Sequence, residues 1–395
     1  MDEGSLEGRH VVFLSWRDTA NPEGGGAERY LEKMAEGLVE RGCSVTIFCA
    51  AHAAAPPEEV RGGIRFVRRG GKLSVYAAGM RALRRGDLSG PDGRLDLVVD
   101  VQNGLPFFSR VVTRVPVLVL VHHVHREQWP VVYPGATGRV GWWIERRLAP
   151  RLYRHSQYVA VSRATREELV ELGVAADRIA VVHNGTDPYQ AVDPGKSPEP
   201  MVAVVGRLVP HKQVEHAVDA VLALRAVLPD VRLHVVGSGW WEAELASYVE
   251  AAGAGGCVVM EGHVTEEHKH EVYERAWVLA LPSLKEGWGL VIGEAGMHAT
   301  PAVAYRSAGG TRESIEDGHS GLLVDTQEEF TDALRRVLTD QQLRRRLSAG
   351  ALEVSHRFTW TQSQLSFAEV VAANLQGRIV DADDPGATRP WRRRG

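Results

Sequence analysis

Residues 285–295 read Lys-Glu-Gly-Trp-Gly-Leu-Val-Ile-Gly-Glu-Ala, so Glu286 and Glu294 stand eight positions apart and Gly287 and Gly289 follow the first at once. Carboxylates accept hydrogen bonds from sugar hydroxyls, as the acidic residue of a dinucleotide site does from ribose. Glycines let a ligand approach bare backbone N–H groups. A helix starting near Leu290 adds N–H donors and the positive end of its dipole, which suit a phosphate. Phosphate plus a hydroxyl-rich sugar is the chemistry of a nucleotide-sugar. A second constellation is Gly206-Arg207-Leu208-Val209-Pro210-His211-Lys212. Arg offers a bidentate fork and Lys a mobile point charge, so this loop could hold a pyrophosphate and neutralise it as it leaves. Standing alone, the same two residues would be surface cations.

Three further groups have the right residue types. Gly237-Ser238-Gly239 is a short glycine turn; a tight turn into the helix at Trp240 would explain it, and close backbone approach to the donor is the alternative. Trp240 and Trp241 read as packing residues. Gly24, Gly25 and Gly26 form a run that favours no stable local structure but lets backbone close over a phosphate or acceptor group; a slack surface loop is the plainer reading. His122, His123 and His125 follow an apolar run. They lack the register and supporting carboxylates of a zinc site. One of them could hydrogen-bond the reacting sugar or the acceptor, and spacing does not say which.

The elements that must position these residues alternate between apolar strand-like runs and helical repeats, the pattern of parallel sheets covered by helices. Strands are predicted at residues 11–15, 44–49, 64–67, 97–101, 115–121, 159–161 and 179–182, then at 201–205, 233–236, 258–260, 278–281, 302–305 and 322–324. A helix over 27–41 carries Tyr30, Leu31, Met34 and Leu38 at helical spacing. The candidate loops after residues 205, 236 and 281 all lie at carboxyl ends of strands, where ligands bind in open α/β sheets. The fold class is therefore α/β, with two doubly wound domains facing each other across a cleft. The domain expectation is 1–192 and 201–360, joined by a Pro- and Gly-rich linker at 193–200 and followed by a helix at 361–378. The polar stretch 379–395 reads as a disordered tail. Closure is expected to hinge at 190–200 and near Trp360.

The 395-residue chain is 44% apolar and 24% charged with net charge −4, so no basic field points to nucleic acid. Its three cysteines, Cys43, Cys49 and Cys257, have no metal-type spacing and suit a reducing compartment. No apolar run is long enough to span a bilayer and the first eight residues show no export pattern, so the expected location is cytoplasmic. Neither a Gly-x-x-x-x-Gly-Lys-Ser/Thr loop nor a Gly-x-Ser-x-Gly elbow occurs. An Asp-x-Asp pair occurs only at Asp381 and Asp383, which suggests that protein cations rather than a divalent metal balance the pyrophosphate.

Taken together, the motifs resemble those of retaining glycosyltransferases of family four, which have the GT-B fold of two Rossmann-like domains. Glu286 with Glu294 is similar to that family's E-x7-E signature. Gly25-Gly26-Ala27-Glu28 resembles its N-terminal glycine loop, Gly206-Arg207-Leu208 with Lys212 its phosphate clamp, and Asn184-Gly185-Thr186-Asp187 its hinge segment. Residues 308–313 and 317–321 resemble its late C-domain run. The resemblance spans about residues 10 to 375. It implies that the donor nucleotide sits mainly on the C-terminal domain and the acceptor is selected mainly by the N-terminal domain. It also implies that Glu294 holds ribose, and that Glu286 meets the donor sugar beside the N–H groups of Trp288, Gly289 and Leu290. Arg207 and Lys212 would stabilise the departing diphosphate. A histidine among His122, His123 and His125 would touch the sugar, and the C-terminal helix would cross back to the N-terminal domain. Trp288 stands where the family often has Phe, and the triple glycine is one longer than the common pair.

The expected partners are a nucleotide-sugar donor and a sugar, lipid or metabolite acceptor, with no cofactor and no metal. A nucleotide-sugar epimerase of the same fold and a catalytically silent nucleotide-sugar binding protein are the competing readings. The segment Gly141-Trp142-Trp143-Ile144-Glu145-Arg146-Arg147-Leu148 mixes aromatic and basic residues and could lie on an anionic membrane face; packing against the protein's own sheet is the alternative.

Overall fold

The computed structural model describes residues 6–189, 195–381 and 384–390. The chain divides into two compact units, one running to Asn184 and resuming at Trp360, the other Gly185 to Thr359. The first unit holds β1 (His10–Leu14), β2 (Ser44–Cys49), β3 (Glu58–Arg61), β4 (Ile64–Arg68), β5 (Leu97–Gln102), β6 (Val117–Val121), β7 (Gln157–Ala160) and β8 (Ile179–Val181). They form one sheet in the order β3-β4-β2-β1-β5-β6-β7-β8. All pairs are parallel except β3 with β4. The second unit holds β9 (Met201–Val205), β10 (Arg232–Val236), β11 (Val258–Gly262), β12 (Val278–Leu281), β13 (Ala302–Tyr305) and β14 (Gly321–Val324), in the order β11-β10-β9-β12-β13-β14. Each sheet is doubly wound. The chain builds outward from a central strand on one side, then returns to build outward on the other. The reversal falls between β1 and β5 in the first unit and between β9 and β12 in the second. Such a switch point leaves a crevice at the strands' carboxyl ends.

Both sheets are buried on both faces, which is why their strands are runs of Val, Ala and Leu rather than alternating patterns. In the second unit alternate residues separate cleanly. Val202, Val204, Val278 and Ala280 join one core cluster, and Met201, Ala203, Val205, Leu279 and Leu281 the other. This follows from the two-residue period of a strand.

The helix Trp360–Leu375 belongs to the first unit and lies on the helix Gly26–Val39. Phe367 stacks on Phe13 with centroids 6.0 Å apart, and Gln364 Nε2 donates to Lys33 O at 2.9 Å. The ends of the second unit meet: Thr186 N donates to Phe358 O at 2.9 Å, and Thr186 bridges to Thr359.

Three expectations need correction. The edge strand β3 (Glu-Glu-Val-Arg) was not expected; it is short, polar and largely exposed, and nothing in its pattern marks a buried face. The division at Gly185 comes earlier than 193, and residues 193–194 of the expected linker lie outside the described residues. The stretch from 379 on is not a disordered tail throughout, since Arg378–Asp381 (β15) pairs antiparallel with Asp384–Pro390 (β16). Ile379 and Val380 are buried, and the side-chain amide of Gln157 accepts from Val380 N at 2.8 Å and donates to Val380 O at 3.0 Å. Residues 382–383 and 391–395 lie outside the described residues.

Candidate active site

In the second unit the loops after β9 and β12 flank the switch point. The first begins at Gly206 (φ +149°), whose N–H donates to Val236 O at 2.9 Å, and passes through a 3-10 turn at Pro210–Lys212. The Gly237-Ser238-Gly239 turn packs directly behind it. A Cβ on Gly237 would stand 2.0 Å from Gly206 O, and one on Gly239 would stand 2.1 Å from Leu208 O. Leu208 N donates to Ser238 O at 2.9 Å. Only glycines allow the two loops to lie backbone on backbone, so this turn supports the cation loop as well as forming part of the same strand edge.

The loop after β12 is held by the segment after β13. Glu286 N donates to Ala308 O at 2.7 Å, and Gly310 N donates to Glu286 O at 3.1 Å. A Cβ on Gly310 would meet Gly287 O at 2.1 Å. The side chains of the two switch-point loops then meet: Lys212 Nζ donates to Glu286 Oε1 at 2.5 Å, with 23% and 10% of the two side chains exposed. Gly289 (φ +88°) turns the chain into the helix Leu290–Met297, and having no side chain it leaves the helix N-terminus uncapped. Arg207 is exposed at the same edge. Trp288 is buried against Phe358, ring centroids 4.8 Å apart, and its carbonyl accepts from Ser314 Oγ at 2.8 Å. It anchors the loop from below and offers a ligand only its backbone. Trp240 was expected to pack, but it stands 57% exposed, with Trp241 donating to Glu215 Oε1 at 2.6 Å.

Glu294, one turn into the helix, is gripped from behind. Tyr273 OH donates to its Oε2 at 2.9 Å, and Lys269 Nζ lies 3.3 Å from the same oxygen. Both partners come from the helix Glu266–Arg275. Sequence reasoning missed them. They lie 21 and 25 positions from Glu294, and their spacing of four marks only a shared helix face.

In the first unit the glycine run is pinned rather than slack. Gly24 N donates to Asn21 O at 2.7 Å, a Cβ there would stand 2.8 Å from Asp18 O, and Gly25 N donates to Glu28 Oε2 at 2.8 Å. Gly26 opens the helix Gly26–Val39. Asp18, wholly buried, organises the loop. It accepts from Arg68 Nε at 2.6 Å and Asn21 N at 3.1 Å, and lies 3.0 Å from His52 Nε2. Glu32 accepts from the N–H and hydroxyl of Thr19 and from Arg61, each at 2.8 Å.

The three histidines follow β6, with the rings of His123 and His125 4.2 Å apart but their nitrogens on different partners. His123 Nε2 meets Gln128 Oε1 at 2.9 Å, and His125 lies between Asn103 Oδ1 at 2.7 Å and the buried Glu145 at 3.2 Å. His122 is buried with its ring edge-to-face against Tyr30, and its Nε2 has no hydrogen-bond partner. Burial, helped by His125, pushes it down to about 4, so near neutral pH it is uncharged. Among the described residues no three His, Cys, Asp or Glu side chains converge as metal ligands, and no helix is long and apolar enough to cross a membrane.

The chain is similar to known glycosyltransferases. Residues 189–354 match the family described as "Glycosyl transferases group 1" and residues 24–190 the family described as "Glycosyltransferase Family 4". The D-inositol 3-phosphate glycosyltransferase of Nocardioides sp. is 29% identical, over 86% of this chain and 83% of its own. That of Stackebrandtia nassauensis is 28% identical, over 94% and 90%. Sucrose-phosphate synthase of Thermosynechococcus elongatus shares the fold with a TM-score of 0.77 at 20% identity, over 92% of this chain and 98% of its own. HepE of Anabaena, solved with UDP-glucose, does so at 0.72 and 20% identity, over 92% and 99%.

Proposed function

The chain belongs to the family-four glycosyltransferases, and from that premise we propose that it is a retaining, metal-independent enzyme that moves a sugar from a UDP- or GDP-linked donor to an acceptor hydroxyl. The observation that carries this reading is the Lys212–Glu286 pair at the switch point of the second unit, 2.5 Å apart and largely shielded from water. Lys212 is close enough to the sugar-binding carboxylate to follow charge as it builds on the diphosphate, and Arg207 adds a second cation. Fixed charge aimed at a leaving group is the largest single contribution available to such a site. Glu294 binds the ribose hydroxyls, Glu286 a hydroxyl of the donor sugar, and the uncapped helix start at Leu290 the phosphate. The bond from the anomeric carbon to the phosphate oxygen breaks as the acceptor oxygen bonds on the same face. The acceptor's proton passes to the departing phosphate.

The acceptor is selected by the first unit, with the pinned glycine loop and His122 as its contact groups. The relatives are D-inositol 3-phosphate glycosyltransferases, which makes D-inositol 3-phosphate the first acceptor to test, ahead of glycans and lipids. The neighbour solved with UDP-glucose makes UDP the first base. The test is a transfer assay with UDP- and GDP-sugars, with and without chelator, in which NMR reads the anomeric configuration of the product. Transfer with retention that survives chelator supports the reading. Inversion, or a strict metal requirement, overturns it. Conversion of the donor with no acceptor present would favour the epimerase, and tight donor binding with neither transfer nor hydrolysis a silent binding protein.

A second reading concerns location: a cytoplasmic protein with peripheral contact to an anionic membrane face. Between Gln128 and Leu152 the only acid is Glu145, which is wholly buried, while Arg139, Arg146, Arg147 and Arg151 are exposed. Trp142 packs against the core, but Val140 and Trp143 stand 57% and 56% exposed among these arginines. Apolar area plus basic charge is what holds a helix at a lipid interface. Flotation with phosphatidylglycerol vesicles but not with phosphatidylcholine vesicles is expected; no flotation with either removes the membrane reading.

A further inference from the structure

Glu294 presents its two oxygens to different worlds. Oε2 receives the Tyr273 hydroxyl at 2.9 Å and lies 3.3 Å from Lys269 Nζ, which also pairs with Glu266 at 2.8 Å. The tyrosine is wholly buried, whereas Glu294 keeps 17% of its side chain exposed. Burial, with the neighbouring Glu294 charge, holds the Tyr273 phenol well above its ordinary value. The phenol therefore stays protonated and can only donate to the carboxylate. A carboxylate on an unsupported helix position rotates about its χ angles, and each rotor it must freeze on binding weakens the contact. Here the rotation is already stopped by two donors on a rigid helix.

We propose that Tyr273 and Lys269 are positioning residues that saturate one oxygen of Glu294 and aim the other at the vicinal hydroxyls of the donor's ribose, so that the chain selects ribonucleotides over their deoxy counterparts. This rests on the reading of Glu294 as the ribose-binding group. A site built to hydrogen-bond a hydroxyl rejects an analogue that lacks it, because a buried polar group is then left without a partner. The rejection is stronger when the group cannot swing away to water, and the Tyr273 and Lys269 contacts prevent that movement.

The test compares the full-length protein with Tyr273→Phe, Lys269→Met and Glu294→Ala, titrated calorimetrically with UDP, GDP and their 2′,3′-dideoxy forms. Tyr273→Phe removes one oxygen from a packed ring and is expected to weaken the preferred ribonucleotide five- to tenfold. It should leave the dideoxy form unchanged and raise the donor KM, with kcat at saturating donor held within twofold. Lys269→Met should show the same pattern. Equal weakening of both nucleotide forms means that the change has merely loosened the fold, and overturns the proposal. So does unchanged ribonucleotide affinity in Tyr273→Phe while Glu294→Ala still weakens it. If Glu294→Ala itself leaves affinity intact, the ribose role of Glu294 fails and the positioning proposal falls with it.

Discussion

Replacing Lys212 with Met separates two jobs that the Lys212–Glu286 pair combines. The first is structural. An exposed ion pair is worth about 0–1 kcal/mol, whereas breaking a buried one costs about 3–5 kcal/mol because it strands a charge. With the two side chains 23% and 10% exposed, Lys212→Met falls between these limits, at about 2 kcal/mol. For a unit of this size that is a drop in Tm of about 4–8 °C. The second job, in the proposed function, is catalytic. Losing a donor aimed at developing charge lowers kcat about 10²–10³-fold. Adding Glu286→Gln to Lys212→Met removes the stranded carboxylate, so the double variant should recover most of the lost Tm while kcat stays at or below that of the single variant. Scanning calorimetry and an initial-rate assay at saturating donor read the two effects independently. A Lys212→Met protein with kcat within fivefold of the parent would refute a role in stabilising the leaving group. Recovery of both Tm and kcat in the double variant would reduce Lys212 to a structural partner of Glu286.

Gly237→Ala places a methyl group 2.0 Å from Gly206 O at a φ of +128°, an overlap and a strain that together cost about 2 kcal/mol or more; Tm should fall and donor affinity drop at least tenfold, whereas unchanged donor affinity would show that the turn does not support the cation loop. Asp18→Ala removes one of the two carboxylates that meet the buried Arg68 guanidinium, Glu59 remaining at 2.6 Å, and leaves buried donors in the loop without their acceptor, at a cost of about 1–3 kcal/mol; accelerated proteolysis of the 17–25 loop is the expected readout, and parental stability would contradict the pinned-loop description. His122 ionises at about 4 in the folded protein and at 6.5 in the ordinary case. The unfolded chain therefore takes up more protons than the folded one between those values, and the His122 contribution is complete above pH 6.5 and lost as pH falls toward 4. His122→Asn should flatten the dependence of Tm on pH in that window, and an unaltered slope would mean that the imidazole is not buried as described.

The parts of this fold legible in sequence are those where one physical signal dominates. Short continuous runs of Val, Ala and Leu mark strands buried on both faces, and they placed all six strands of the second unit within about two residues. Glu286 and Glu294 could be located because strand, glycine turn and helix follow one another without a gap. What stayed hidden depends on partners far away in the chain. The support of Glu294 by Tyr273 and Lys269 exists only once two helices are packed. The order in the 17–25 loop comes from Arg68 and His52, contributed by other strands and loops, so a triple glycine that is slack in isolation is fixed in the fold. The edge strand β3 and the hairpin of β15 and β16 have too little apolar pattern of their own, and their backbones are recruited by neighbours. Of two adjacent tryptophans, Trp241 turns inward and Trp240 outward, a distinction that composition cannot make.

The second unit is an insertion in the first: it begins and ends at the Thr186–Thr359 bridge, and the first unit is completed only by Trp360–Leu375. On the ribosome this inverts the usual order, in which the N-terminal domain folds first. The second unit has both its ends and its whole sheet in hand as soon as Thr359 has emerged. Until the last helix is synthesised, Phe13 and the helix Gly26–Val39 lack the cover that Trp360–Leu375 gives them, and a nascent chain stalled before Trp360 exposes that surface to chaperones and proteases. A premature stop anywhere in the last helix should therefore cost the first unit its closing element while leaving the second unit folded.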